Sequence, residues 1–300
     1  MNWIILALIP PLIWAFVNVM NKIVRTKHID SSITYMIIAG PVNLIYIFGF
    51  LFLKISTPNI ALALFALFTG IMQAIAALCY IKALSIDEVS RVIPLMRLES
   101  IFVIIFATLL INEILIPIKY LAFFLILIGG FLISLKKFKG VFSLSKAFYF
   151  MVLSSFLWGT SDVFIKYLSR FMDFQSYFMF SRIGAFIFAV ALFLIPKFRF
   201  NALNNIQRLS KKVLPMILLA EIIGIGGMII FFYAISIAPV TLVNVLLGFQ
   251  PFFVLIIASF LSFKFPQILR EELNKKVLLT KIFAIILLFV GLFLIQNGVY

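Results

Sequence analysis

Charge is what this chain has least of. Only 12% of its 300 residues are charged, and Asp and Glu together number 10, against roughly 25% charged residues in a typical soluble protein. The apolar share is 65%, where about 45–50% is usual. A chain so composed cannot hide its apolar surface from water, which excludes a soluble enzyme or a transcription factor. The single cysteine, Cys79, lies in an apolar run, so neither an intrachain disulfide nor a cysteine-based zinc site is possible. The single histidine, His28, removes most metal and triad chemistry. No nucleotide-binding loop argues for direct ATP drive, and no HExxH, GxSxG or DxxxD pattern argues for an intramembrane enzyme acting on lipids or isoprenoids. No run of polar residues marks a channel filter. Lys and Arg total 25, for a net charge of +15. They are scattered between apolar runs and make no continuous face to track phosphates, so a nucleic-acid partner is excluded.

What the chain does have is apolar runs of membrane length. A bilayer helix takes about 20 apolar residues. Uncharged windows predict ten helices at 3–21, 32–53, 59–81, 91–111, 115–135, 147–165, 174–195, 213–235, 241–262 and 278–296. The runs are continuous rather than alternating, so a β-barrel is excluded. The first run lacks a basic leader and a cleavage site and is expected to stay as a span. Most Lys and Arg fall in the odd-numbered links, with Lys136, Lys137, Lys139 and Lys146 crowded into one short link. Positive charge stays inside, so the odd links are expected in the cytoplasm and both termini outside a plasma or inner membrane.

The two halves repeat each other. Trp14 to Lys22 lines up with Trp158 to Lys166, with Trp, Asn18/Asp162 and Lys at identical spacing. Farther on, Tyr80 to Ser90 matches Phe231 to Thr241, and Glu99 falls on Gln250. Each half, 1–140 and 141–300, holds five spans, and an odd number forces the second half to enter the bilayer from the opposite side. The expected fold is therefore an all-α polytopic membrane protein of ten helices in two inverted five-helix repeats. Such repeats enclose a cavity near the midplane, the plan of alternating-access carriers.

On these residues the chain resembles the drug/metabolite transporter superfamily, in its ten-helix EamA-like family, over nearly its whole length. The resemblance is carried by Trp14 to Lys22 and Trp158 to Lys166, by Tyr80-Ile81-Lys82-Ala83-Leu84, by Asn112-Glu113 and by Gly129-Gly130. The sequence departs from that pattern at Lys264, opposite Glu113, and at Gly40, near the position matched by Arg182. The resemblance implies export or exchange of small metabolites through a cavity lined by helices 1, 3, 4, 6, 8 and 9. Helices 5 and 10 would pack at the periphery.

Charges inside a bilayer cost about 2.5–3.5 kcal/mol on insertion scales, so each intramembrane ionisable residue needs a partner, water or a job. Those here are Arg97, Glu99, Asp162, Arg182 and Glu221. Asp162 and Lys166 are four apart on one helix face and are expected to form an ion pair, either structural or gating a cavity mouth; Lys22 repeats Lys166 without the acid. Arg97 and Glu99 are two apart and must look toward different neighbours. A carboxylate taken out of water holds protons more tightly, as proton coupling requires, so Glu99 and Glu221 are candidates for coupling or substrate contact. Arg182 either satisfies an acid or binds a substrate carboxylate. Gln73, Gln250, Asn18, Asn43 and Asn244 offer hydrogen bonds to a solute or to neighbouring helices. Tyr80, Tyr233, Trp14 and Trp158 are candidate cavity walls. The expected activity is secondary transport, as an exporter of a small amphipathic metabolite such as an amino acid, with the proton as a candidate co-ion. Other metabolites, nucleobases or sugars, and drugs are the alternative cargo, and an intramembrane lipid-modifying enzyme is the alternative from another class. No cofactor is expected, and a monomer or a homodimer both suit two complete halves.

Overall fold

The computed structural model describes residues 3–28, 32–51, 59–86, 92, 95–134, 146–208, 213–264 and 275–297. The expected boundary between halves at 140/141 and the side chain of Lys22 lie outside the described part. The elements are α1 (Trp3–His28), α2 (Ser32–Ala39), α3 (Val42–Leu51), α4 (Ile60–Ile86), α5 (Leu98–Ile111), α6 (Pro117–Ser134), α7 (Lys146–Leu168), α8 (Phe174–Leu194), α9 (Pro196–Arg208), α10 (Val213–Ile237), α11 (Val240–Val245), a 3-10 turn (Leu246–Phe249), α12 (Gln250–Lys264) and α13 (Lys275–Asn297). Six segments are long and apolar enough to cross a bilayer by themselves, and the shorter apolar stretches Trp3–Asn18, Ser32–Phe48, Leu98–Ile111 and Pro117–Leu132 complete ten. The chain is a polytopic helical membrane protein.

Among the described residues three expected spans are not continuous helices: the fourth is interrupted by a turn at Met96-Arg97, before α5 starts. The second breaks at Gly40-Pro41: proline has no N–H to continue the ladder, and the Gly40 carbonyl instead receives Asn43 Nδ2 at 2.9 Å. The ninth is α11, the 3-10 turn and α12 in succession. Pro251 sits at the second position of α12, where a missing N–H costs least. A helix absent from the sequence expectation, α9, follows the seventh span.

The helices pack as an interlocked pair of repeats. Helix α4 lies on α7 and α5 on α7; in the other half α10 lies on α1, and α12 with its 3-10 turn on α1. Exchanging the halves maps one set of contacts on the other. Aromatic pairs follow the same exchange: Trp14 stands edge-on to Phe231 at 5.4 Å, and Trp158 leans on Tyr80 at 5.7 Å. Helices α6 and α13, the fifth and tenth spans, pack on each other and expose Leu121, Phe124, Phe283 and Phe293. Exposed apolar side chains on a membrane helix are its lipid face.

One pair of contacts breaks the symmetry. Helices α4 and α8 meet backbone to backbone: a Cβ at Gly70 would collide with the Ser181 main chain, and one at Gly184 with the Leu67 carbonyl. Only glycine lets the two backbones come so near. The matching contact of α10 with α2 and α3 is sparse. There Glu221 occupies the position that matches Gly70, and the helices are joined by side-chain arms, Tyr35 to Glu221 and Tyr46 to the Ile222 carbonyl.

Candidate functional site

Among the described residues, two polar clusters and one seal each link separate helices. The first cluster joins α5, α7 and α11. Asn244, fully buried on α11, points its two N–H groups at two acids, Glu99 Oε1 on α5 and Asp162 Oδ2 on α7, each at 2.8 Å. Ser100 Oγ donates to Asn244 Oδ1 at 2.7 Å and fixes the amide orientation. Glu99 and Asp162 are both buried and are held beside each other by that one amide. Two carboxylates so placed repel when both are ionised. The local fold explains the meeting. Helix α5 starts only at Leu98, putting Glu99 in its first turn; Gly159 on α7 admits the Glu99 carbonyl and Phe102 within 3.0 Å of where a Cβ would stand.

The second cluster joins α4 and α8. Arg182 Nη2 donates to Gln73 Oε1, and Arg182 Nε reaches Ser181 Oγ at 3.4 Å. The guanidinium lies 5.3 Å from the Phe178 ring centre and 5.9 Å from that of Phe232. Beside it the Tyr177 hydroxyl meets Thr69 Oγ1 at 3.1 Å. Thr69 gives its own proton to the Ala66 carbonyl at 2.6 Å, so Tyr177 is the donor of the pair.

The seal lies on the face formed by the even-numbered links. Asn112 adopts the left-handed conformation, φ 54°, at the end of α5, which turns Glu113 back over α11. Its carboxylate accepts from Val240 N and Thr241 N, each at 2.9 Å. An acid over a helix N-terminus satisfies amides that have no partner within the helix. Lys166 Nζ donates to the Ser236 carbonyl at 3.2 Å, and Arg170 Nη2 to the Ile111 carbonyl at 3.3 Å. All three cross between elements on the same face.

The remaining sequence candidates are dispersed. The pair expected from Asp162 and Lys166 takes other partners: both residues share a helix face, but the acid turns inward to Asn244 and the lysine outward to Ser236. Arg97 is buried at the N-cap of α5, in a turn and not in mid-helix, and its charge acts on Glu99 without a direct bond. Arg182 bonds Gln73 rather than an acid. Glu221 is half-buried against Tyr35. Trp14 Nε1 donates to the Gly224 carbonyl at 3.0 Å. Tyr233 is 44% exposed and rests on Phe174. Gln250 is buried at the start of α12, and Asn18 is half-buried on α1. From the sequence Asn244 has only a general hydrogen-bonding part and Glu113 only its place in the family pattern, while Tyr177, Thr69 and Ser100 carry no signal of their own. The turn Asn112-Glu113 just before Pro117 is the one local signal that pointed at the seal.

Comparison with known proteins agrees with this plan. No curated protein matches the chain. The crystal structure of another protein is 14% identical, with a TM-score of 0.69 over 98% of this chain and 96% of that one; at that identity the likeness shows the fold. The EamA-like transporter family matches residues 1–135 and again 145–296. Two such matches, one per inverted repeat, show that the chain belongs to the EamA-like transporters of the drug/metabolite transporter superfamily.

Proposed function

We propose that this transporter exports a small amphipathic metabolite such as an amino acid, by alternating access, and couples that movement to protons at Glu99 and Asp162. The carrying observation is the buried cluster in which Asn244 holds both acids, because it joins α5 of the first repeat to α7 and α11 of the second. Rocking of one repeat against the other would pull that amide from one acid or both. Two adjoining carboxyls share a proton and repel when both are ionised, so proton loss favours their separation. That ties protonation to the arrangement of the repeats. The charge distribution supports an orientation with the odd links in the cytoplasm and the sealed face outside.

The test is transport by purified protein in liposomes. An imposed proton gradient is expected to accelerate counter-directed flux of an amino acid. In Glu99→Gln and Asp162→Asn exchange should persist while the gradient has no effect. Native flux indifferent to the gradient would remove the coupling assignment, and no saturable flux of any solute would remove the transport reading.

A further inference from the structure

We infer that Arg182 and Gln73 form the subsite for a carboxylate group of the transported solute, so that the cargo is a carboxylate-bearing molecule. The inference rests on the transport reading and gives it a substrate class. A guanidinium has five N–H donors. Among the described residues those of Arg182 reach only neutral oxygens, Gln73 Oε1 and, at long range, Ser181 Oγ. The side chain is 3% exposed. Ring faces at 5.3 and 5.9 Å ease the charge, but a buried cation without an anion remains costly.

The neighbouring amide is incomplete in the same direction. Gln73 turns its oxygen to Arg182, and its Nε2, also buried, lies near the Tyr177 hydroxyl without the alignment of a hydrogen bond. Both amide atoms share one carbon, so Nε2 stands within about 5 Å of Nη2. That is the span of one carboxylate accepting from both. The glycine crossing makes the pair rigid: Gly70 and Gln73 lie one turn apart on α4, Arg182 and Gly184 two residues apart on α8, and the backbones are in contact there. Positioned donors cost no reordering when the anion arrives.

Polarity completes the case. Tyr177, beside Arg182, is also within electrostatic range of Asp162 in the first cluster. A solute with an acid at one end and an amine at the other meets opposite charges at the two clusters, with the Phe178 and Phe232 rings beside its apolar part.

The experiment is counterflow in proteoliposomes with radiolabelled L-leucine and L-phenylalanine, competed by the same amino acids, by their carboxamides and by the decarboxylated amines. The free acids are expected to compete and the amides and amines to fail. Arg182→Gln should raise the half-saturation concentration about 10- to 100-fold with a smaller change in maximal rate, the cost of one charged, paired contact. Gln73→Glu supplies an internal anion to Arg182. It should keep or raise the melting temperature in detergent while abolishing amino-acid flux, a split that a purely structural arginine would not produce. Unchanged half-saturation in Arg182→Gln, or normal flux in Gln73→Glu, overturns the subsite. Native protein that moves amines or neutral solutes but no acid also overturns it, leaving transport standing; absence of all flux instead defeats the transport reading beneath it.

Discussion

Glu113→Ala should loosen the even-link face by a measurable factor. The carboxylate accepts two main-chain N–H groups at 2.9 Å from the start of α11. A hydrogen bond to a charged group contributes about 1.5–3 kcal/mol when dry. Glu113 is half-buried, so solvent screening brings the two together to about 2 kcal/mol. Removing them multiplies the open fraction about 30-fold. The reporter is Thr241→Cys in a Cys79→Ser background. Thr241 is fully buried behind the seal and its hydroxyl bonds nothing among the described residues, so a thiol fits there. When opening is fast relative to reaction, labelling by a membrane-impermeant maleimide follows the open population. The rate should rise about 30-fold in Glu113→Ala and by an intermediate factor in Glu113→Gln, whose single carbonyl oxygen takes fewer of the amides. Equal labelling rates in parent and Glu113→Ala, with both folded by circular dichroism, would refute the argument that this carboxylate closes the face.

Other perturbations have equally definite outcomes. Gly70→Val should prevent or severely destabilise folding, because its side chain would enter the Ser181 backbone; size-exclusion profile and melting temperature in detergent report it, and a normal monodisperse peak would contradict the crossing. Asn244→Ala leaves Glu99 and Asp162 without their shared donor and should cost about 3–5 kcal/mol, read as a drop in melting temperature larger than that of Trp14→Phe. The latter keeps the ring against Phe231 and loses only the bond to Gly224, about 1 kcal/mol. Phe200→Trp on α9 should be quenched by brominated lipids, since Phe200 and Leu203 are exposed side by side one turn apart; no quenching would place that helix away from the bilayer.

Composition and window length were enough for the ten spans, because lipid punishes every charge and every free backbone group in the same way wherever it occurs. The repeat was legible for a related reason: Trp14/Trp158 and Tyr80/Phe231 keep their spacing because they keep their partners, each tryptophan on the other half's aromatic residue. The breaks at Gly40-Pro41 and Leu246–Phe249 were hidden, since an apolar run reads alike whether its ladder is continuous or interrupted. Helix α9 was hidden by its charges, although Phe198, Ala202 and Ile206 recur at helical spacing toward the core. Tertiary choice was least visible. Spacing placed Asp162 and Lys166 on a common face, but the selection of Asn244 over Lys166 depends on α11 arriving from 82 residues away, and no local pattern encodes that.

The glycine crossing has a mechanical consequence. Where α4 and α8 touch through bare backbone, little sliding is possible without a clash, so that junction behaves as a pivot. Its counterpart, α10 against α2 and α3, has no such backbone crossing among the described residues and is joined by two tyrosine hydroxyls and an apolar patch around Ile38 and Ile217, contacts that can shift without a main-chain clash. A duplicated scaffold thus has one stiff joint and one looser joint, with a glycine at the crossing in one copy and an acid at the matching place in the other.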